Sequence, residues 1–518
     1  MSASVCVVGA GIAGLIAATR LASNKGLRVV VVESGLRRFD AIVDALNEID
    51  NPASNYPARI PRRFRGLGGT SLLWAGKLLP LTRNDALPRS YLNLEGWPFD
   101  VAELDKYKGD VEALMGVDRE SYEEDVSDHL DPSSLLGRNC EDFVLRWPKR
   151  PTLKNHNLAH VLRHEIAGLD NLEIWLGATV VRFEADPASG RVTSLRATNH
   201  GGQILNVAAN QYLIAAGALE STRLLLLADR QLNRPISRDG GVLGRYFNDH
   251  LGLKVATLRP IDWGATNRAL SDRSRFSGVR HLHLELRPEV QQAHGIGSAY
   301  FDIGTVFPTF SALPKVRAIL NSIRSGTPRL SFSDLRSVVQ DLPSLFWHVQ
   351  WQLMRKQRYW PLHTDLQVMV WVEQLPYWQN RICLSDQVDS LQIPKLRLEW
   401  TKTDAEEKTF RIMVEKIGSY WRRHLAKVCE LQRNLLISKP DSRLADAAED
   451  LAHPAGSTRM GTAPSNSVVD SNMVVHRLPN LGVVSSSVFP TSGSANPTLT
   501  VMQLAMRAAD ALARRLTF

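Results

Sequence analysis

The sequence predicts an α/β fold combined with an α+β fold, in which a doubly wound nucleotide-binding domain is interleaved with a domain built on an antiparallel sheet. Three observations support this prediction. A strand-helix-strand unit opens the chain, segments that favour an antiparallel sheet fill its middle, and strands of the first type return near the C-terminus. The 518 residues also exceed the roughly 250 to 300 at which one hydrophobic core stops growing, so two domains are expected.

The N-terminal unit is predicted from three consecutive patterns. Residues 5–8 form a short buried strand, residues 12–22 have helical periodicity with small residues on one side, and residues 28–33 form a second apolar strand. Their combined length fits the roughly 30 residues of a βαβ motif. The unit therefore opens a doubly wound α/β domain.

The middle of the chain shows a different pattern. Apolar and polar residues alternate, or apolar residues form short runs, in the segments 251–258, 281–286, 366–372, 381–384 and 396–400. Such segments are typical of an antiparallel sheet. Strands of the nucleotide-binding type are predicted again at residues 212–216 and 481–484, and residues 498–515 have helical periodicity. The two folds are therefore interleaved along the chain.

The predicted domain boundaries are accordingly discontinuous. The nucleotide-binding domain comprises mainly residues 1–250 and 450–518, and the second domain comprises mainly residues 251–449 with a helical insert at about 313–360. The insert carries a series of aromatic, sulfur-containing and basic side chains: Trp347, Trp351, Met354, Arg355, Arg358 and Trp360. Aromatic residues at helical spacing favour a packed lid or a domain-covering helix over association with a membrane surface.

The composition excludes several classes of protein. The 62 lysines and arginines outnumber the 53 aspartates and glutamates, but they are scattered, so no nucleic-acid partner is expected. The 4 cysteines are too few and too widely spaced for a disulfide framework or a zinc site, and no metal is predicted. The N-terminus shows no targeting pattern, and no apolar run approaches the ~20 residues that span a bilayer. A cytoplasmic protein is the expectation.

A glycine-rich motif marks the first turn of the nucleotide-binding domain. Residues 9–14 read Gly-Ala-Gly-Ile-Ala-Gly, directly after a strand and at the start of a helix. In this context Gly9 permits a tight turn, Gly11 lets the backbone approach a pyrophosphate, and Gly14 lets helix and strand pack closely. The helix N-terminus attracts that anion, and Glu33 is placed to accept hydrogen bonds from ribose hydroxyls. NAD and FAD fit these residues equally well, and a turn used only for packing is the alternative.

Seven further segments occur in a recognisable order. They are residues 65–76 (RGLGGTSLLWAG), 96–99 (GWPF), 217–221 (GALES), 244–250 (GRYFNDH), 453–461 (HPAGSTRMG), 468–470 (VVD) and 494–498 (SANPT). This series resembles the glucose-methanol-choline (GMC) oxidoreductase family, and the C-terminal segments are the most specific. The resemblance thins between about residues 255 and 360. It implies FAD as cofactor, a Rossmann-like FAD-binding domain and a substrate-binding domain on the antiparallel sheet.

The motif and the resemblance together assign the cofactor contacts. The residues predicted to bind FAD are Gly9, Gly11, Ile12, Ala13, Gly14, Glu33, Gly69, Thr70, Trp74, Gly76, Val180, Ala216, Gly217, Pro497 and Thr498. Some members of the family attach FAD covalently through a histidine in the segment that corresponds to residues 68–76. Because this chain has no histidine there, non-covalent FAD is expected.

Alcohol oxidation by hydride transfer to flavin N5 needs a base for the hydroxyl proton, and histidine, with an unperturbed pKa of about 6.5, suits that task. The resemblance places His453 in this role and Asn496 beside it, where the amide would orient the alcohol oxygen. The alternatives are a structural histidine and a helix start, with Asn496 as N-cap and Pro497 at the first helical position. Glu373, near the end of a predicted strand, is either a substrate contact or a surface carboxylate. His250 is interpreted as structural or peripheral.

The sequence thus predicts a GMC-type, FAD-dependent alcohol dehydrogenase or oxidase that acts on a CH–OH group. By analogy the substrate is a small-molecule alcohol such as a sugar, a polyol or a glycosylated metabolite, and oxygen or another electron acceptor is the second partner. Two alternatives stay open. One is a flavin-dependent isomerase, and the other is a catalytically inactive flavin-binding protein with a membrane-associated or interaction role.

Overall fold

The computed structural model describes residues 1–51, 56, 63–126, 136, 140–275, 277–316, 319, 336, 338–433 and 442–517. These residues form two seven-stranded sheets and two three-stranded sheets, with helices packed between and around them. One large sheet contains a parallel nucleotide-binding core, and the other is antiparallel throughout. The predicted combination of a Rossmann-like domain and an antiparallel-sheet domain is confirmed.

The first large sheet begins with the N-terminal strand. In spatial order its strands are Leu172–Leu176, Val29–Glu33, Ser2–Val8, Ile204–Ile214, Val192–Thr198 and Thr179–Ala185, and Leu481–Val483 pairs with the C-terminal end of Ile204–Ile214. Ser2–Val8 is parallel to both of its neighbours. It and Val29–Glu33 are valine-rich because parallel strands are covered on both faces.

Four longer helices belong to this sheet: Ile12–Ala22, Asp105–Met115, Gly217–Gln231 and Thr498–Thr517. Helix Ile12–Ala22 packs between the strands Ser2–Val8 and Val29–Glu33 and the C-terminal helix Thr498–Thr517. Nine of its residues are buried. The two ends of the chain therefore share one core, which explains why the signals for this domain lie far apart in sequence.

The second large sheet carries the antiparallel strands predicted from alternation. In spatial order they are Cys429–Arg433, His250–Pro260, Asp365–Glu373, Ala299–Val306, His283–Leu286 and Phe143–Arg146, with Glu449–Asp450 paired to His250–Pro260. In Asp365–Glu373 the residues Leu366, Val368, Val370 and Val372 are buried on one face. That period of two is the signal that predicted the sheet.

Several strands pair differently from the prediction. The small sheets consist of Arg381–Val388, Pro394–Glu399 and Ile49–Asp50, and of Arg273–Arg275, Gly278–Arg280 and Lys149–Pro151. The segments 381–384 and 396–400 therefore lie outside the large antiparallel sheet in which we expected them. Phe143–Arg146 belongs to that sheet although it falls in the range predicted for the first domain. Alternation predicts a strand but does not specify its partner.

The helix Asp404–Tyr420 packs against the second large sheet and buries seven of its residues. The other helices of the described chain are Ala41–Asp44, Arg83–Ala86, Leu158–Val161, Arg163–Ala167, Trp263–Leu270, Pro288–His294, Leu342–Arg355 and Leu444–Ala447. Leu342–Arg355 falls in the insert predicted at 313–360, of which residues 317–318, 320–335 and 337 lie outside the described residues. No residue of this helix is buried, and Leu353 and Met354 are 76% and 75% exposed. The helix therefore does not enter a core, whereas Trp360 beyond it is buried. A role as a lid or covering helix stays a prediction. In the described part of the chain, no helix combines the length and apolar character needed to cross a bilayer.

Candidate active site

A cavity of about 690 Å³ opens at the carboxyl ends of the parallel strands Ser2–Val8 and Val29–Glu33. This is the edge at which doubly wound sheets bind their ligands. All residues predicted to bind FAD line the cavity, with the exception of Gly14. His453 and Asn496 line it as well, so the structure brings the proposed cofactor and catalytic residues to one place.

The glycines of the first turn have different tasks. A Cβ on Gly14 would lie 1.9 Å from the carbonyl oxygen of Gly9, so Gly14 permits the packing of helix against strand. Gly9 has a φ of +105°, and a Cβ there would lie 2.7 Å from the carbonyl oxygen of Ala215. A Cβ on Gly11 would instead face the cavity, 3.9 Å from the Cα of Gly69. The cavity thus has a side-chain-free floor at a helix N-terminus, which fits the pyrophosphate of a dinucleotide.

Glu33 lies at the end of the second parallel strand and is held by the first turn. Its Oε2 accepts a hydrogen bond from the backbone N–H of Ala10 at 2.7 Å, and its Oε1 accepts one from Gly35 at 2.7 Å. Burial raises the pKa of this carboxyl, and the two N–H donors act in the opposite direction. Each oxygen has a further acceptor site, so Glu33 fits the hydroxyls of a ribose.

A charged cluster that the sequence did not predict lines the cavity near Glu33. Nη2 of Arg65 lies 2.8 Å from Oε2 of Glu220, and Arg63 lies 3.5 Å from the same oxygen. Burial opposes ionisation of Glu220, but Arg65, Arg223 and Arg63 together lower its pKa to about 2. Two features of the sequence pointed to this cluster. Arg65 begins the family segment 65–76, and Glu220 lies in the family segment 217–221.

His453 is held in place through its backbone. Its N–H donates to Oδ1 of Asp249 at 2.8 Å, and the N–H of His250 donates to the same oxygen at 2.7 Å. The hydroxyl of Tyr56 donates to Oδ2 of Asp249 at 2.8 Å. Burial, together with the charge of Asp450, raises the pKa of Asp249 to about 7. One buried carboxyl therefore fixes the backbone of both histidines.

The ring of His250 is in contact with the ring of His453. The two Nδ1 atoms are 3.0 Å apart, and the ring planes stand at 87°. Nε2 of His250 lies 2.8 Å from the carbonyl oxygen of Gly493. Sequence reasoning treated His250 as structural or peripheral, whereas the structure places it directly behind the proposed base. The sequence feature that could have indicated a place near the site is that His250 ends the family segment 244–250.

Asn496 precedes the C-terminal helix without capping it. The N–H of Val501 donates to the carbonyl oxygen of Pro497 at 2.9 Å, and the helix begins at Thr498. Pro497 is thus the N-cap, and the interpretation of Asn496 as N-cap is wrong. The side-chain oxygen of Asn496 is buried and has no hydrogen-bond partner among the described residues. The residue itself is among those that line the cavity, so its amide lies next to the space that a ligand would occupy.

Glu373 lies away from the cavity lining, and it is not a surface carboxylate. The side chain is 1% exposed and forms two hydrogen bonds of 2.7 Å with the guanidinium of Arg89. The N–H groups of Ser298 and Gly493 donate to its two oxygens at 3.2 and 2.9 Å. Burial opposes its ionisation, but Arg89 holds the pKa of Glu373 below its ordinary value. Both interpretations made from the sequence are corrected, because the carboxylate is saturated by protein donors.

Comparisons with known proteins agree with this geometry. Residues 376–505 match the family model of the GMC oxidoreductases, and residues 7–38 match that of the NAD(P)-binding Rossmann-like domain. The chain is 24% identical to 6'''-hydroxyparomomycin C oxidase of Streptomyces lividus, over 99% of this chain and 91% of that protein. It is 24% identical to the fructose dehydrogenase large subunit of Gluconobacter japonicus, over 99% of this chain and 98% of that protein.

Solved structures share the fold. Pyridoxine 4-oxidase from Mesorbium loti superimposes with a TM-score of 0.57 at 18% identity, and the match covers 98% of each chain. The chain thus contains a C-terminal domain of the GMC oxidoreductase type at residues 376–505 and a Rossmann-like nucleotide-binding motif at residues 7–38. It is an FAD-dependent oxidoreductase that acts on the CH–OH group of an alcohol.

Proposed function

We propose that this protein oxidises a primary or secondary alcohol group of a sugar, a polyol or a glycosylated metabolite, with His453 as base and Asn496 as the residue that orients the alcohol. The proposed substrate class is supported by the two relatives whose names specify oxidation of fructose and of 6'''-hydroxyparomomycin C. The proposed roles are supported by the shared cavity and by the family segments that contain the two residues.

The observation that carries the proposal is the buried, unpartnered amide oxygen of Asn496 in the cavity that His453 also lines, as seen in the described part of the chain. Leaving such an acceptor without a hydrogen bond costs about 1–3 kcal/mol. A substrate hydroxyl that approaches His453 recovers part of this free energy by hydrogen bonding to Asn496. The same contact holds the hydroxyl beside its proton acceptor.

Bound FAD supplies the acceptor for the hydride that leaves the alcohol carbon. We propose that it is held non-covalently by the cavity residues predicted from the sequence, with Gly14 as a packing residue. The imidazole of His453 takes the hydroxyl proton as the C–H bond breaks, so that the alcohol leaves as a carbonyl compound. The N-terminal turn of helix Thr498–Thr517 presents unpaired N–H groups to the cavity, where they stabilise negative charge.

The proposal is tested by anaerobic mixing of the purified protein with a panel of hexoses, polyols and glycosides. A true substrate bleaches the flavin absorbance band, and aerated samples then show whether oxygen is the acceptor. A compound that is converted while the flavin stays oxidised would indicate an isomerase instead. The absence of both bleaching and conversion across the panel would contradict the proposed substrate class.

Asn496→Asp refines the test. Aspartate has nearly the same size and shape as asparagine but brings a negative charge into the cavity. With a substrate from the panel, we expect flavin reduction to fall steeply while FAD stays bound. Reduction at the wild-type rate would exclude the proposed contact between Asn496 and the alcohol.

A further inference from the structure

His250 lies between the proposed base and the protein interior. Its Nε2 is 2.8 Å from the carbonyl oxygen of Gly493, and its Nδ1 is 3.0 Å from Nδ1 of His453. The side chain is 3% exposed. Burial lowers the pKa of His250, so the ring is neutral at neutral pH.

The contact with Gly493 decides which nitrogen of the neutral ring holds the proton. A carbonyl oxygen only accepts hydrogen bonds, so Nε2 of His250 must be the donor and Nδ1 must carry the lone pair. The short contact between the two Nδ1 atoms then requires the proton on Nδ1 of His453. A neutral His453 with its proton on Nδ1 has the lone pair on Nε2.

We infer that His250 is a positioning residue that sets the tautomer of His453 and thereby makes Nε2 the atom that accepts the alcohol proton. This inference rests on the proposed function of His453. In the reaction the O–H bond of the alcohol breaks and an N–H bond forms at Nε2 of His453. The bond from Nδ1 of His453 to His250 then becomes charge-assisted and stabilises the imidazolium, while His250 itself gains no proton.

The carbonyl group that orients His250 is itself fixed. The N–H of Gly493 donates to Oε1 of Glu373 at 2.9 Å, and Arg89 binds both oxygens of that carboxylate. Gly493 has a φ of +57°, and a Cβ there would lie 2.6 Å from the carboxyl group of Asp85. A buried ion pair therefore holds Gly493, Gly493 orients His250, and His250 orients the base.

Three replacements of His250 separate this role from simple packing. H250N places an amide oxygen near the position of Nδ1 and retains the acceptor for His453. H250Q places an amide nitrogen near the position of Nε2, which retains the donor to Gly493 but loses the acceptor. H250F keeps the ring volume and has neither group. All three are prepared as holoenzyme, and FAD content and melting temperature show whether each has folded.

The first readout is anaerobic flavin reduction by an alcohol that bleaches the wild-type protein, measured across pH. We expect H250N to stay within about threefold of wild type, and H250Q and H250F to slow by about 10- to 100-fold, the size of one hydrogen bond to an ionised group. The apparent pKa of the base should fall in the two slow variants, because their imidazolium lacks its acceptor. Two titratable groups lie next to the two histidines. Asp249 accepts the backbone N–H groups of both His250 and His453, and Glu373 accepts the N–H of Gly493, whose carbonyl contacts His250.

The second readout needs no substrate. In ¹⁵N-histidine spectra of the holoenzyme, the His453 signals, assigned by their loss in His453→Ala, should show a proton on Nδ1 and a lone pair on Nε2. The same pattern is expected in H250N and a mixture of tautomers in H250Q. A protonated Nε2 in the neutral wild-type ring would overturn the inference, as would wild-type reduction rates in both H250Q and H250F. If no alcohol bleaches the flavin, the proposed function fails, and the spectra still decide the tautomer.

Discussion

Replacement of Gly11 by valine tests whether the floor of the cavity holds the pyrophosphate of FAD. The residue has a φ of −81°, which any amino acid adopts. Within the described residues, the nearest atom to an added Cβ is the Cα of Gly69 at 3.9 Å, an ordinary van der Waals distance. The protein therefore admits a Cβ at this position, and because Gly11 lines the cavity we expect the rest of the side chain to enter the cavity rather than the core.

The expected magnitude follows from the contacts that the side chain prevents. If valine keeps the pyrophosphate from two N–H donors at the start of helix Ile12–Ala22, each charge-assisted bond of about 1.5–3 kcal/mol is lost. The total of roughly 3–6 kcal/mol weakens FAD binding by about 10² to 10⁴. The stability of the apoprotein should change little, because the added Cβ makes no contact closer than 3.9 Å and Gly11 lines the cavity.

The assay is the ratio of flavin to protein after gel filtration, followed by titration of the apoprotein with FAD. Gly109→Val is the matched control, because Gly109 lies in helix Asp105–Met115 with nothing of the described structure within 4 Å of an added Cβ. The control should retain FAD at the wild-type ratio. Wild-type affinity in Gly11→Val would refute the assignment of this turn to the pyrophosphate.

Three further outcomes are expected. Acid or heat should release intact FAD, since residues 68–76 contain no histidine to bind it covalently. Flavin fluorescence that stays with the denatured chain in a gel would contradict this prediction. Glu373→Gln leaves Arg89 buried without its counter-ion and should lower stability by about 3–5 kcal/mol, seen as a lower melting temperature of the holoenzyme. The folded pKa of Asp249, about 7, lies above the roughly 3.9 of an unfolded aspartate, so the contribution of this group to stability is lost as pH rises between those values. Asp249→Asn should remove that loss, and an unchanged dependence of melting temperature on pH from 4 to 8 would exclude the assigned pKa.

The parts of the fold that local pattern determines were predictable from the sequence. The valine-rich strands, the glycine turn and the alternation in Asp365–Glu373 each reflect a packing requirement met within a few residues. The small sheet in which 381–384 pairs with the strand Pro394–Glu399, and that strand pairs with Ile49–Asp50, was not predictable, because strand partners are chosen by tertiary packing far along the chain. The exposure of helix Leu342–Arg355 was likewise invisible in its composition.

In the candidate site, too, residues in local motifs were predictable, and residues defined by tertiary contacts were not. Motif residues such as Gly11 and His453 were found because each lies in a recognisable segment. The contacts of Glu373 and His250 involve residues more than 100 positions away, so sequence alone could not find them. Asn496 was ambiguous because a cap and a ligand contact use the same side chain, and only the position of the helix start distinguishes them.

The central claim, that His453 removes the alcohol proton, is tested most directly by stopped-flow anaerobic reduction of the bound flavin in His453→Ala. His164→Ala is the matched control, because His164 is exposed on the helix Arg163–Ala167. With FAD content equal to wild type, His453→Ala should reduce its flavin about 10² to 10⁴ times more slowly, the contribution of a general base, and His164→Ala should match wild type. Wild-type reduction by His453→Ala, with a substrate that bleaches the native enzyme, would contradict the account.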